Sequence, residues 1–520
     1  MLKTNKILEL EILKMVKPVS GQRAIIIFTL LFANIICNLY SQKFTDKVAS
    51  PDTMSSKRWR EPTDSIVADL ESYIPVYIQE HNIPGVAIAL IQGGKVVRTR
   101  GYGVTNSITE KPVNAETLFE VASNSKLITA YIALRLVDQG KLALDEPLNQ
   151  YLSEPWLPSS QYRDTITLRH VLSHSSGLGH LTFSRECLFP PGRGFYYSNK
   201  GYLYLQAVIE EVSGQPLEEV ARELVFRPLE MSSSSFINHN GIVNRTANGH
   251  IHVIIPLMFF IIPYLLVLIF ISMVGLPVHR IWKGQWKIRS GTVWITLIVV
   301  FVLVILPLFF FLGPYGLSKF AWLIAFCGIG VSAAIASVFF IVRLVVQRIF
   351  KKRSKYKGVQ ITILTLLMVA ILLGLVYQIE IIPVPKWPVV PAGAASTLRA
   401  TAGDLAKFLI ELSDSKFLTN EIAEQLKSPQ VQLAEKMSWG LGPGLQQSHM
   451  GTILWQWGQN LDFQSFLIVY PEHGFGVVVM TNNDVRNPDV AINIAQHVLG
   501  DSMDLILQAA HLDFNYRPGM

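Results

Sequence analysis

Ser123 and Lys126, in the run Phe119-Glu120-Val121-Ala122-Ser123-Asn124-Ser125-Lys126, are a nucleophile and a base at a spacing suited to acyl transfer. A serine hydroxyl is a poor nucleophile until a neighbouring base takes its proton. Leu127, Ala130, Leu134 and Val137 follow at helical spacing, so a helix is expected to start near Ser123 and to bury that face. Positions i and i+3 share one helix surface, which puts the Lys126 amine within reach of the hydroxyl. The free N–H groups of a first helical turn suit a developing oxyanion. Spacing alone decides little. Ser354/Lys357 and Ser413/Lys416 repeat it, the first within a run of positive charge and the second after a polar helix end, and both read as solvated surface.

Two further clusters could complete such a centre. Tyr197-Ser198-Asn199 is the one Tyr-x-Asn in the chain, and alternate residues of an extended loop face the same way. A phenol beside a lysine can shuttle protons between nucleophile and leaving group, although by itself the motif reads equally well as a surface turn with an aromatic anchor. In Trp455-Gln456-Trp457-Gly458-Gln459-Asn460 a strand edge runs through a glycine, which lets a substrate approach the backbone closely and leaves the following N–H for an oxyanion hole. His170 and His174, at i and i+4, sit in a structural phrase before Ser176-Gly177, and no metal site is expected there. His250-x-His252 is read as an interfacial pair at a membrane boundary. No His-Glu-x-x-His, Gly-x-Ser-x-Gly or phosphate-binding loop is present, which removes rival hydrolase and nucleotide readings, and no cofactor is expected.

The elements that must position these residues are legible around them. Residues 63–82 read as an amphipathic helix; 85–91 and 95–99 read as a hairpin turning at Gly93-Gly94. Tyr202 to Val212 reads as a helix closed by Ser213-Gly214. After Pro391 come a helix start at 402–409, meander strands at 454–456, 463–470 and 476–481, and a last amphipathic helix at 490–499.

The 520 residues are half hydrophobic with a mean hydropathy of +0.34, which for a chain this long points to membrane segments. The net charge of +7 is unevenly placed. Twelve Lys or Arg and no acid lie between Ile251 and Gln378, and residues 1–23 hold five bases against two acids, leaving −8 elsewhere. Basic character therefore belongs to membrane flanks, and no nucleic-acid partner is expected. Ile254–Val274, Thr292–Leu312, Phe320–Val345 and Val359–Tyr377 are four apolar stretches near the roughly 20 residues that cross a bilayer. The loops at His279–Arg289 and Arg348–Lys357 are basic and Gly313–Lys319 has one lysine, so both ends of the insert are expected outside the cytoplasm. The apolar run from Ala24 to Ile36 reads as a signal-peptide core or an uncleaved anchor, with the same consequence. Cys37, Cys187 and Cys327 offer no disulfide framework. The expected organisation is 1–40 signal peptide or anchor, 41–250 first catalytic part, 251–384 four-span insert and 385–520 second catalytic part.

The three clusters in this order resemble the serine β-lactamase and penicillin-binding protein superfamily, in its class C β-lactamase-like and D-Ala-D-Ala carboxypeptidase branch. Asp138-Gln139-Gly140-Lys141-Leu142, Thr167–Leu178 and Tyr197-Ser198-Asn199-Lys200-Gly201-Tyr202 are similar to that family's phrases, and the resemblance covers 63–250 and 385–520. It implies an α+β fold, an antiparallel sheet flanked by helices with a helical subdomain, here interrupted by the four-helix transmembrane insert. It implies Ser123 as acylated nucleophile, Lys126 and Tyr197 as the proton-transfer pair and Asn199 as positioner of substrate and lysine. Backbone N–H groups of Ser123 and Gln459 would form the oxyanion hole, and Gln456, Trp457, Gly458 and Asn460 would line the substrate. Gln456 departs from the Lys or His usual at its position, which puts in doubt the capture of an anionic carboxylate. The stretch from Leu178 to Pro191 is also short for the family. The expected activity is a membrane-tethered, extracytoplasmic serine hydrolase of a peptide-like amide or ester. An acylatable sensor with little turnover is the alternative, disfavoured by cytoplasmic loops of only about ten residues.

Overall fold

The computed structural model describes residues 58–180, 187–252, 381–384, 386, 391–483, 489–500, 503, 506–507 and 517–518. The anchor expected in 1–40, the four apolar stretches, Cys37, Cys327, Ser354/Lys357 and part of the trimmed 178–191 stretch lie outside those residues. Among the described residues no helix is long and apolar enough to cross a membrane.

An eight-stranded antiparallel sheet organises the fold, in the order Lys95–Gly103, Gly85–Gln92, Phe475–Thr481, Gln464–Tyr470, Gly451–Gln459, Gly444–Ser448, Met437–Trp439, Val431–Ala434. The expected hairpin closes on Gly93 (φ 59°) and Gly94 (φ 68°), the two positive-φ positions such a tight turn needs. Gly85–Gln92 also pairs with Phe475–Thr481, Ile88 opposite Val479, so an early strand of the chain lies beside a late one.

The strand Gly85–Gln92 reads as a nearly unbroken apolar run because it is buried on both faces. Val86, Ile88 and Leu90 face one core, with Ile66, Leu70 and Ile74 of the helix Thr63–Glu80 and Ile494 and Val498 of the helix Val490–Leu499. Ala87, Ala89 and Ile91 face the other, with Leu405 and Leu409 of Ala402–Ser413 and Leu127 and Ala130 of Asn124–Asp138. Alanines on that side let the helices come close. Leu168, Val171, Tyr202, Leu205 and Ile209 extend the second core into the expected helical subdomain.

His250–His252 pairs antiparallel with Ile381–Pro383, His252 opposite Ile381, so the residues flanking the expected insert are backbone neighbours. This corrects the reading of His250 as interfacial. It is fully buried; Ser107 N donates to its Nε2 (3.1 Å), its Nδ1 bonds the Asn482 carbonyl (3.0 Å), and burial pushes its pKa down to about 4. Its imidazole ties the strand His250–His252 into the core. Ser413/Lys416 is no second centre: the Ser413 hydroxyl donates back to the Leu409 carbonyl of its own helix.

Candidate active site

Ser123 is the N-cap of the helix Asn124–Asp138, as expected, but its side chain does not cap. A serine at this position usually spends its oxygen on the next turn's N–H groups. Here Ser125 takes over the local work, its hydroxyl donating to the Ala122 carbonyl (2.6 Å) and accepting from Leu398 N (3.1 Å). Ala122 is held at φ 48°, a left-handed conformation that a residue with a Cβ adopts at a cost. The Ser123 hydroxyl is thereby left to the site.

Lys126 fills that vacancy in the bonding. Its Nζ donates to Ser123 Oγ (3.0 Å) and to the Ala395 carbonyl (2.9 Å), and it lies 4.9 Å from the centroid of the Tyr197 ring. The side chain is 1 % exposed and, among the described residues, has no carboxylate partner. Desolvation therefore pushes its amine well below a lysine's ordinary value, toward the neutral form a general base needs. Tyr197 Oη accepts from Gln456 Nε2 (3.1 Å) and is also hydrogen-bonded to Ser123. Burial raises its pKa to about 12 against the downward pull of those two bonds, so it is a phenol at neutral pH. Serine, lysine and phenol converge.

The third cluster approaches through backbone. A Cβ on Gly458 would meet the Val121 carbonyl oxygen at 2.1 Å and Ser465 Oγ at 2.7 Å, so only glycine lets this strand lie against the nucleophile turn. Ser465 Oγ donates to that same carbonyl (2.8 Å), and Asn124 Nδ2 donates to Ser465 Oγ (2.7 Å), which pins turn and strand together. Gly451–Gln459 pairs with Gln464–Tyr470 as far as Gln459, whereas its pairing with Gly444–Ser448 ends at Trp455. Asn460 N bonds the Phe463 carbonyl (2.9 Å), so the alternation of an antiparallel ladder turns the Gln459 N–H to the open edge. Among the described residues Ser123 N makes no backbone bond. Both N–H groups are thus available near the nucleophile.

The family model described as Beta-lactamase matches residues 69–253 and 374–501, more than half of the chain. The chain belongs to the beta-lactamase family. Among curated relatives, Esterase EstB of Burkholderia gladioli is 29 % identical over 207 residues, 34 % of this chain and 52 % of that protein. Protein flp of Staphylococcus aureus is 25 % identical over 208 residues, 36 % of this chain and 42 % of that one. The chain thus spans about half the length of these relatives. Two solved structures share the fold. The octameric penicillin-binding protein homologue from Pyrococcus abyssi has a TM-score of 0.53 at 19 % identity, covering 85 % of this chain and 77 % of that chain. D-alanine carboxypeptidase AmpC from Burkholderia cenocepacia has 0.52 at 15 %, covering 84 % and 99 %.

Other members of the expected site sit differently. Asn199 starts the helix Asn199–Ser213, but its Nδ2 meets His180 Nε2 (3.1 Å) and its buried Oδ1 has no partner among the described residues. The Lys126 amine, which the resemblance would have Asn199 position, is held instead by the Ala395 carbonyl. Asn460 donates to Glu120 Oε2 (3.2 Å), and Glu120 is paired with Arg399 (2.6 Å), so Asn460 buttresses an ion pair. Gln456, 1 % exposed, touches Tyr197 directly. Trp457 stacks on Tyr197 (5.5 Å between centroids) and Trp455 (5.5 Å). His170 and His174 part company: His170 caps its helix with Thr167, while His174 Nδ1 accepts from Ser198 N (3.0 Å) and its ring lies 4.2 Å from that of Tyr197.

Sequence reasoning missed His180, Ala395 and Trp439. His180 Nδ1 contacts the Tyr197 carbonyl (3.2 Å), and burial lowers its pKa to about 4. Trp439 closes the aromatic wall beside Tyr197 and His174. The small residues of Ala392-Gly393-Ala394-Ala395 were the one usable signal: a segment without bulk can run close to a helix, and this one gives its carbonyls to Lys126 and Thr129.

Proposed function

We propose that the protein is a membrane-tethered serine hydrolase that works through an acyl-enzyme on a peptide-like amide or ester. Neutral Lys126 takes the Ser123 proton as Oγ bonds to the substrate carbonyl carbon. The Ser123 and Gln459 N–H groups receive the oxyanion, and Tyr197 passes the proton to the departing alkoxide or amine. Water then attacks the acyl-serine and the same groups run in reverse. Asn199, Gln456, Trp457, Gly458 and Asn460 border the substrate or hold the groups that do. The observation that carries this reading is the 3.0 Å contact between Ser123 and a buried lysine that, among the described residues, has no carboxylate partner.

The names of relatives support the reaction class, since one is an esterase and one structure is a D-alanine carboxypeptidase. Tethering and an extracytoplasmic position rest on the four apolar stretches and the charge of the loops between them. The ladder between His250–His252 and Ile381–Pro383 agrees with an even number of crossings, which returns the chain to the side it left.

A fluorophosphonate probe tests the centre. Labelling of the full-length protein should disappear in Ser123→Ala; undiminished labelling refutes the assignment. A covalent substrate adduct that persists for hours in place of turnover would favour the sensor reading.

A further inference from the structure

Gln456 Nε2 donates both to Tyr197 Oη (3.1 Å) and to the Trp457 carbonyl (3.2 Å). A backbone carbonyl only accepts, so Trp457 decides which end of the amide is nitrogen. The other end, Oε1, is buried with no donor upon it among the described residues. Asn199, two residues from Tyr197, leaves Oδ1 in the same state while its nitrogen meets His180. Buried acceptors without donors are costly and rare, and the one on Gln456 belongs to the side chain that bonds the Tyr197 phenol. An occupant that satisfies them brings N–H or O–H groups. A carboxylate would set its negative oxygens against these carbonyl oxygens.

Among the described residues, the basic side chains that touch the Tyr197 phenol do little to offset that repulsion. Lys126 is bound to Ser123 and Ala395, and burial holds Lys126, His174 and His180 toward their neutral forms. Trp457, half-buried and stacked on Tyr197, adds a flat apolar wall. We propose that Gln456 sets the substrate class: a neutral acyl donor that carries an amide N–H or a hydroxyl beside the scissile carbonyl and no carboxylate there. This rests on the acyl-enzyme reading of Ser123. The covalent step is unchanged by it: Oγ bonds to the carbonyl carbon, the bond to the alkoxide or amine breaks, and the serine proton leaves with that group.

Two aryl phosphonates, identical except for a carboxamide or a carboxylate beside the phosphorus, test this on the full chain in detergent. Ser123 Oγ bonds to phosphorus, the aryloxide leaves with the serine proton, and intact mass gives each labelling rate. The carboxamide probe should label at least about tenfold faster, a difference ordinary for hydrogen-bond complementarity. Gln456→Lys should narrow or reverse that ratio by accelerating the carboxylate probe, which mere damage to the site cannot do. Equal or faster labelling by the carboxylate probe in the wild type overturns the inference while leaving Ser123 as nucleophile. Loss of that labelling in Lys200→Ala would then name Lys200 as the anion's partner. Failure of both probes to label Ser123 overturns the acyl-enzyme reading itself, and the inference falls with it.

Discussion

Lys126 and Arg399 are both buried basic side chains that bind the first half of the chain to the second, and they are treated in opposite ways. Arg399 meets Glu120 at 2.6 Å, and Asn460 donates to the other carboxylate oxygen, so both charges are matched. This cluster also joins the short strands Phe119–Glu120 and Arg399–Ala400, one on each side of the insert. Lys126, six residues along from Glu120, donates to a hydroxyl and a carbonyl and, among the described residues, meets no carboxylate. A paired buried charge holds segments in register; an unpaired buried amine gives up its proton. The difference separates the group that assembles the site from the group that can react in it.

The comparison breaks first at Lys126. Lys126→Met should slow Ser123 labelling by about 10²–10⁴-fold, the range of general-base catalysis, while thermal stability holds or rises. Burial puts the amine's folded pKa below its unfolded value, so the unfolded chain binds the extra proton between the two. Wild-type stability therefore climbs as pH rises through that window, and the variant should lack the climb. Its advantage in melting temperature should be greatest at low pH and shrink toward pH 10; a constant gap would sink the idea of a neutral amine.

At Arg399 the expected effect moves from rate to stability. Arg399→Met strands Glu120 and should lose about 3–5 kcal/mol in denaturant unfolding, with the remaining folded protein labelled near the wild-type rate. Glu120→Leu/Arg399→Met together should recover most of the loss. If the single variant unfolds like the wild type, the pair is not the clamp described.

Gly458→Ala sits between the two clusters. Its Cβ would press on the Val121 carbonyl at 2.1 Å, which is backbone and yields poorly. A loss of about 1–3 kcal/mol is expected, together with slower Ser123 labelling from the displaced turn. Unchanged labelling and stability would show that the strand can retreat freely.

The smallest effect concerns His180. Its folded pKa of about 4 lies below the ordinary 6.5, so this group's contribution to stability is intact above 6.5 and is lost as pH falls from 6.5 toward 4. His180→Gln should flatten that part of the curve of unfolding midpoint against pH. An identical curve would mean the imidazole is charged or solvated in the folded state.

Much of the fold was legible because its elements advertise local rules. The Gly93-Gly94 turn, the helix behind Ser123 and the closing Gly214, left-handed at φ 66°, each follow from nearest neighbours. The helix Thr63–Glu80 and the strands around 464–481 also fell where periodicity put them. Legibility failed where a residue's role depends on a distant partner. Asn460 was expected at the substrate and is engaged by Glu120, 340 positions away; His250 was expected at a membrane boundary and is locked by Ser107 and Asn482. No local pattern announces either contact.

Ser123 and Lys126 meet because a helix brings i and i+3 together, and that much was determined by the sequence alone. So were the apolar stretches between 254 and 377 and the glycine that follows Trp457, since each is a property of residue type and spacing. Only the tertiary structure decided that Lys126 would be buried with no carboxylate beside it among the described residues, that Ala395 would hold its amine, and that Gln456 would turn its nitrogen to Tyr197. Burial and pairing belong to groups that folding brings from far along the chain, and the charge state of a lysine is set by that company and not by its neighbours in sequence.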